Sequence, residues 1–377
     1  MELSAEDSLR LNVLLANSLQ AVRIDESSMT VYALSDRGEA SVKLNPRGRD
    51  DQYLKKVREL LSSQVLGSPG GYPIFLRRWT RMGQARDDSL EQLLLLGEPE
   101  AVVAVVYASG LSDDMARRAW WAMPVADNAR RMLEKQSVVE GSMGPELAAH
   151  LVEYLPFETE PTAMIETVRL VLQPGLIGAD VRDKLWRSAK RKNPYYVGFM
   201  DALPDALPEA GVARKDHAAV VAALEALVAA GNPVARQLCR CLSGNGQVYL
   251  DTAATVFAKP SNQDVVVEAL KSIHAYFGCI CPSQDIAADM DTIISDAEEL
   301  LDAPPVCVTT IAVQQVLEAL PECRDDVLAL FALAWAGDHL VTPIFSRTDA
   351  IGSLMRKKVE PVIAPIQQQL ARLRGRK

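Results

Sequence analysis

The sequence predicts a mainly α-helical protein: a scaffold of HEAT-like helical hairpins behind a small N-terminal α+β region that contains a β-hairpin. Three observations carry this. From about Ser89 onward, apolar residues recur at helical spacing in short segments punctuated by Gly and Pro, the texture of stacked helical hairpins rather than of a sheet protein. Two segments, 109–128 and 174–193, repeat one another. Residues 1–66 differ from the rest in carrying β-type runs around a turn.

In chain order, a first helix is predicted from about Ala5 to Ser18, with Ser4 as N-cap and Leu9 and Val13 on its apolar stripe. The runs "AVRID", "MTVYALS" and "EASVKLN" read as strands. Asp36-Arg37-Gly38 between the last two reads as a hairpin loop in which Gly38 supplies the positive φ. A second helix follows, with Tyr53, Val57, Leu60, Leu61 and Val65 on one face. "GSPGGYP" at 67–73 is a linker, because three glycines and two prolines in seven residues sustain neither helix nor central strand. It is not a phosphate-cradling P-loop, since no Lys-Ser or Lys-Thr follows the glycines.

Helices are then predicted at 89–96, 99–108, 113–122, 126–135, 145–155, 161–172, 179–190 and 194–202. Further ones follow at 216–230, 233–242, 248–257, 263–277, 285–301, 308–319, 324–335 and 347–371. The organisation read from this is a small α+β domain at 1–66, a Gly/Pro linker and basic segment at 67–88, and a helical-repeat domain at 89–345. A C-terminal helix and basic tail complete it at 346–377.

In the repeat, Gly110, Leu111, Arg117, Trp121 and Asn128 stand 65 residues before Gly175, Leu176, Arg182, Trp186 and Asn193. That period exceeds one HEAT or armadillo unit of about 40–47 residues, so each copy spans three helices or more. Arg and Trp at i and i+4 share a helix face, which lets the guanidinium lie across the indole. Trp121 and Trp186 are therefore expected to be packing anchors between layers. The last stretch carries eight basic residues from Arg347 to Lys377 against Asp349 and Glu360. It is expected to form a helix that breaks near Pro361 or Pro365 and ends in a solvated basic tail.

Composition narrows the function classes. A net charge of −9 argues against a general nucleic-acid binder, which needs a basic surface. The longest apolar runs, such as 101–108, fall far short of the ~20 residues that cross a bilayer. The N-terminus carries acids where an export signal carries bases, so the expected location is cytoplasmic, with no membrane partner and with reduced cysteines. His150, His217, His274 and His339 lack metal-ligand spacing, and no nucleophile elbow, dinucleotide fingerprint or calcium loop appears. No metal site, cofactor or catalytic residue is assigned. Asp87-Asp88 and Asp113-Asp114 sit where helices begin and suit the helix dipole better than acid–base chemistry.

Two clusters remain as candidates. Arg77, Arg78, Arg81 and Arg86 flank Trp79 directly after the linker. In a helix, Arg77 and Arg81 would grip one anion or partner together; the alternative is pairing with Asp87, Asp88 and Glu91. The same arginines with the basic tail form the one route to nucleic-acid binding. The second cluster is the cysteines. "LCRCL" at 238–242 reads as helix, where residues i and i+2 point about 200° apart, so Cys239 and Cys241 cannot share a metal. In "FGCICP", Gly278 is expected to end a helix in the left-handed region, and Cys281 before Pro282 is biased to extended backbone. Cys279 and Cys281 would then either present two thiols on one side or pack back onto the helix.

The stretch from "NPRGRDDQYLKKVRELLSSQVLG" to "GEPEAVVAVV", with "RRAWWAMPVADNARRMLE" and "FETEPTAMIETVRLVLQPGLI", resembles the DsrS family. Its members are soluble accessory proteins encoded with the reverse dissimilatory sulfite reductase cluster of sulfur-oxidising bacteria. The resemblance covers about the first two hundred residues and rests on no catalytic signature. It implies a non-enzymatic accessory or regulatory protein of sulfur oxidation that works through a protein partner. The alternative is a thiol protein that carries sulfur or binds a metal through Cys279 and Cys281.

Overall fold

The computed structural model describes residues 3–46, 48–67, 90–280 and 289–376. The chain is mainly α-helical, with one small three-stranded antiparallel sheet near its N-terminus. It divides into two compact units, Met1–Pro156 and Phe157–Lys377. No single helix among the described residues is long and apolar enough to cross a membrane.

In the first unit, α1 (Ala5–Leu15) begins at Ser4, whose hydroxyl accepts from the Asp7 N–H at 3.1 Å. The buried face is not the expected one. Leu9 and Val13 are 66% and 61% exposed, whereas Asp7, Leu11 and Leu14 face inward. Hydrophobicity alone favours the wrong stripe, because the inward one includes a carboxylate. Asp7 is tolerated there because it accepts from the Tyr53 hydroxyl and from the Asn45 N–H at 2.9 Å.

Strands β1 (Leu19–Asp25), β2 (Thr30–Ser35) and β3 (Gly38–Lys43) pair in sequence order. Ser35 opposes Gly38, so the hairpin turns on Asp36-Arg37, and Gly38 at φ 109 takes the conformation an L side chain would resist. α2 (Asp50–Leu66) buries Tyr53, Val57 and Leu61 together with Val22, Val31 and Leu11.

The sheet is joined to the helices that follow it: α3 (Leu90–Leu93), α4 (Pro99–Tyr107), α5 (Asp113–Ala122), α6 (Ala126–Met132), α7 (Gln136–Val139) and α8 (Met143–Tyr154). The Val22 N–H donates to Leu94 O at 2.8 Å. Trp121 on α5 donates its indole N–H to Glu39 Oε2 at 2.9 Å, and the Arg23 guanidinium lies over its ring at 4.9 Å. The expected Arg117–Trp121 stack does not form, because Arg117 turns to Asp114 and Gln20. Ser112 caps α5, which frees Asp113 to accept from the N–H groups of Ser142 and Met143 and from the Ser142 hydroxyl. The carboxylate thus serves the start of α8 rather than its own helix.

The second unit opens with α9 (Pro161–Val171), α10 (Ala179–Ala189) and α11 (Pro194–Ala202). α11 is buried from Pro194 to Met200 and crosses α9 at Gly198, where a Cβ would come 2.7 Å from Ile165 O. Only glycine permits that approach. Trp186 is a packing anchor here, edge-on to Tyr196 and Phe199 at 4.9 and 5.1 Å. Then follow α12 (His217–Ala229), α13 (Pro233–Leu242), α14 (Gly244–Ala258), α15 (Gln263–Phe277), α16 (Met290–Asp302), α17 (Val308–Ala319) and α18 (Arg324–Trp335). α18 is buried from Asp326 to Ala334 against α15, α16 and the C-terminal helix.

After the short α19 (Thr342–Phe345), α20 (Gly352–Leu373) runs unbroken through Pro361 and Pro365, contrary to the expected break. Tertiary packing overrides the proline cost, since Met355, Val359, Val362, Ile363, Ile366 and Leu370 are all buried and Pro361 lies on the exposed side. The basic end is not a free tail either, because Arg374 and Arg376 both pair with Asp251.

Arg214 ties this unit together. Its guanidinium forks onto Asp326 at 2.6 and 2.7 Å and onto Asp216 at 2.7 Å, and reaches the carbonyls of Arg372 and Leu373. Asp326 is 8% exposed, and a buried carboxylate left without its partner costs about 3–5 kcal/mol. Arg214→Met is expected to lower unfolding stability by that amount in urea titrations, with Arg214→Lys recovering part of it. Burial raises the Asp113 carboxyl, but the donors of Ser142 and Met143 outweigh it and hold the group below the usual carboxylate range. A depressed carboxylate contributes its full stability above its unfolded pKa and loses it as pH falls through the folded value. Asp113→Ala should therefore cost about 1 kcal/mol at neutral pH and flatten the acid limb of stability against pH.

Candidate functional site

Arg77, Arg78, Trp79, Arg81, Arg86 and Cys281 lie outside the described residues. Cys279 is described, and its setting differs from the expected one. Gly278 is right-handed at φ −61, so α15 continues into a 3-10 turn, Gly278–Ile280. Ile280, rather than a cysteine, packs inward from this turn, and Cys279 is exposed.

The Cys279 thiol donates to Gln237 Oε1 at 3.4 Å, while Gln237 Nε2 faces Cys241 Sγ at 3.6 Å and donates to Tyr276 O at 3.0 Å. One buried carboxamide therefore connects the thiols of the two C-x-C segments. Sequence spacing does not reveal this link, but one signal was present: Gln237 is a polar residue among the apolar stripe of Val234, Leu238 and Cys241 on α13. Around it, Arg240 stacks on Tyr276 at 3.8 Å and grips Asp205 through two 2.7 Å bonds. Tyr276 in turn stacks on Tyr249 at 3.8 Å.

The electrostatics of this cluster favour neutral thiols. Burial pushes Cys241 far up, and it raises Cys279 despite the nearby Arg240. Among the described residues no group of three His, Cys, Asp or Glu side chains is placed to hold a metal ion.

A different feature is exposed on α12. Its sequence, HAAVVAALEALVA, buries only Val220 and Leu224 and carries Glu225 as its single acidic or basic residue apart from His217. Val221 is 39% exposed, and Ala218, Ala219, Ala222, Ala223, Ala226 and Ala229 are also at the surface. Beside it runs α17, held by Asn232 Nδ2 donating to Ala312 O at 3.0 Å. α17 adds exposed Ile311, Val308 and the preceding Val306, the last two 80% exposed. The alanine-rich composition is legible as a strong helix former, but which side it leaves uncovered is a tertiary property.

Compared with family models, with curated proteins and with solved structures, the chain gives no match.

The thiols should differ in reactivity. Cys307 is exposed and held below the usual thiol range, first by the Thr310 hydroxyl and then by backbone N–H groups at the start of α17. Burial pushes Cys323 up to about 12. In iodoacetamide labelling mapped by mass spectrometry at neutral pH, Cys307 is expected to react first. Cys279 should follow and accelerate with rising pH, and Cys241 and Cys323 should label only on unfolding. Prompt labelling of Cys241 in the folded protein would contradict the arrangement around Gln237.

Proposed function

We propose that this chain is a non-enzymatic accessory or regulatory protein of bacterial sulfur oxidation, acting in the cytoplasm through a protein partner. The resemblance of its first two hundred residues to the DsrS family supports the setting. The uncovered face of α12, flanked by Ile311 and Val308 of α17, is the observation that carries the mode of action.

A helix face that stays in water is ordinarily covered by long charged side chains, whereas this one carries alanines and a valine around one glutamate, Glu225. Removing such surface from water yields roughly 25 cal/mol per Å² of apolar area. Small side chains also let a second helix approach closely, so the fitting partner segment is an amphipathic helix laid along α12.

The reading is tested with Val221→Asp and Ile311→Asp, both at exposed positions, in parallel with the unaltered protein. Pull-downs from extracts of sulfur-oxidising cells should recover a specific partner with the unaltered chain and lose it with either variant, at unchanged melting temperature. Recovery of no specific partner, or of the same partner by both variants, would sink the proposal.

A second reading, sulfur carriage or metal binding by Cys279 and Cys281, is favoured by the exposure of Cys279. It requires thiolate, which the raised Cys279 pKa opposes at neutral pH. Under this reading, anaerobically purified protein incubated with a persulfide donor gains the mass of added sulfur, and a Cys279→Ser variant gains less.

A further inference from the structure

A cleft of about 420 Å³ opens in the second unit where the ends of α10 and α14 meet the start of α20. It shares no residue with the apolar face of α12 and α17. Lys190 and Arg191 follow α10, Lys259 follows α14, and Arg356 stands on α20; all four line the cleft, and no carboxylate does. Among the described residues, none of the four makes an ion pair.

Arg214, Arg240, Arg324 and Arg374 are each bound to a carboxylate, in a chain whose net charge is −9. Four like charges gathered in a concave site repel one another, and an anion relieves that repulsion.

The segments are fixed independently of those charges. Asn193 Nδ2 donates to Lys259 O at 2.8 Å, and Arg356 Nη1 donates to Pro260 O at 3.5 Å. The two lysines and Arg191 are therefore not needed to hold the walls. Lys190, Tyr196 and Thr255 also border an adjoining cleft of about 470 Å³, which contains Trp186 and the acids Glu209 and Asp251. The adjoining cleft thus adds Trp186, two acids and Arg376 to a first cleft that is lined by cations without acids. Each volume falls in the range of small-molecule sites, about 300–1,000 Å³.

We propose that the cleft binds a soluble small molecule carrying two or more phosphates, with Lys190, Arg191, Lys259 and Arg356 neutralising them. A phosphate monoester carries about −1.5 to −2 at neutral pH, so two or more are needed to balance four cations. Guanidinium forks match phosphate oxygens in pairs, and lysine serves as a point charge. The uncharged part of the ligand then occupies the adjoining cleft beside Tyr196 and Trp186.

The test is isothermal titration calorimetry of the full chain with inorganic pyrophosphate, ADP and adenosine at low salt. Pyrophosphate and ADP are expected to bind, adenosine far more weakly, and added salt should weaken both phosphates. Lys190→Ala combined with Lys259→Ala changes two exposed side chains outside the packing, so its circular dichroism should match the unaltered protein. It should bind at least about tenfold more weakly. Arg356→Gln provides an independent variant with the same expected direction. No binding of either phosphate at millimolar concentration would overturn the proposal. So would affinity unchanged in the double variant, or adenosine binding as tightly as ADP.

Discussion

The second unit depends on one buried fork. Arg214 sits in the segment before α12 and reaches Asp326 on the core helix α18, while also contacting the last carbonyls of α20. Segments more than a hundred residues apart in sequence are thereby fixed at one guanidinium. Such a pair is weak evidence of net stability, since desolvation offsets much of the attraction, but it is a strong constraint on register. Gln247 adds a bond to Leu373 O at 3.1 Å and Asp251 receives Arg374 and Arg376, so the end of α20 is held from α14 as well. Because α20 is one continuous helix, fixing its end also fixes where Arg356 stands, near its start, at the polyphosphate cleft proposed above.

Local signals made most of the fold legible. Ser4 and Gly38 mark a helix start and a turn by their own chemistry, and the helical periodicity after Ser89 reads correctly because it is set by near neighbours. Most of the readings that failed required a partner distant in the chain. Leu9 and Val13 form a valid stripe by spacing, yet Asp7 finds Tyr53 and turns α1 the other way. Pro361 and Pro365 break an isolated helix, but six buried apolar residues hold α20 straight through them. Trp121 and Trp186 look alike in the repeat, yet one meets Glu39 and Arg23 of the sheet region and the other sits in an aromatic core.

The same division applies to the candidate sites. The C-x-C segments were visible as spacing, and their splayed geometry in α13 follows from helix periodicity. Their connection through Gln237 was not visible, since it joins Cys241 to a thiol 38 residues further along the chain, in a turn expected to end at Gly278. The composition of α12 was legible, but its uncovered side depends on where α13 and α17 lie. The basic cleft was legible only in pieces. Lys190–Lys192 and Arg356–Lys358 are short basic runs in the sequence, but only folding gathers Lys190, Arg191 and Arg356 with Lys259.

The function proposed above requires two things: a surface that a partner recognises and a means of making recognition conditional. The face on α12 and α17 and the cationic cleft of α10, α14 and α20 are distinct in residues but lie in one unit. α14 packs on α13, which touches both α12 and α17, and Lys259 follows its last residue. If polyphosphate binding drew Lys259 and Arg356 inward, the load would pass to α20, whose other end is clamped by Arg214, and so to the segment that begins α12. Coupling of that kind requires the ligand to bind one arrangement better than another. Comparing partner affinity with and without pyrophosphate would measure it directly, and an unchanged affinity would mean that the two surfaces act independently.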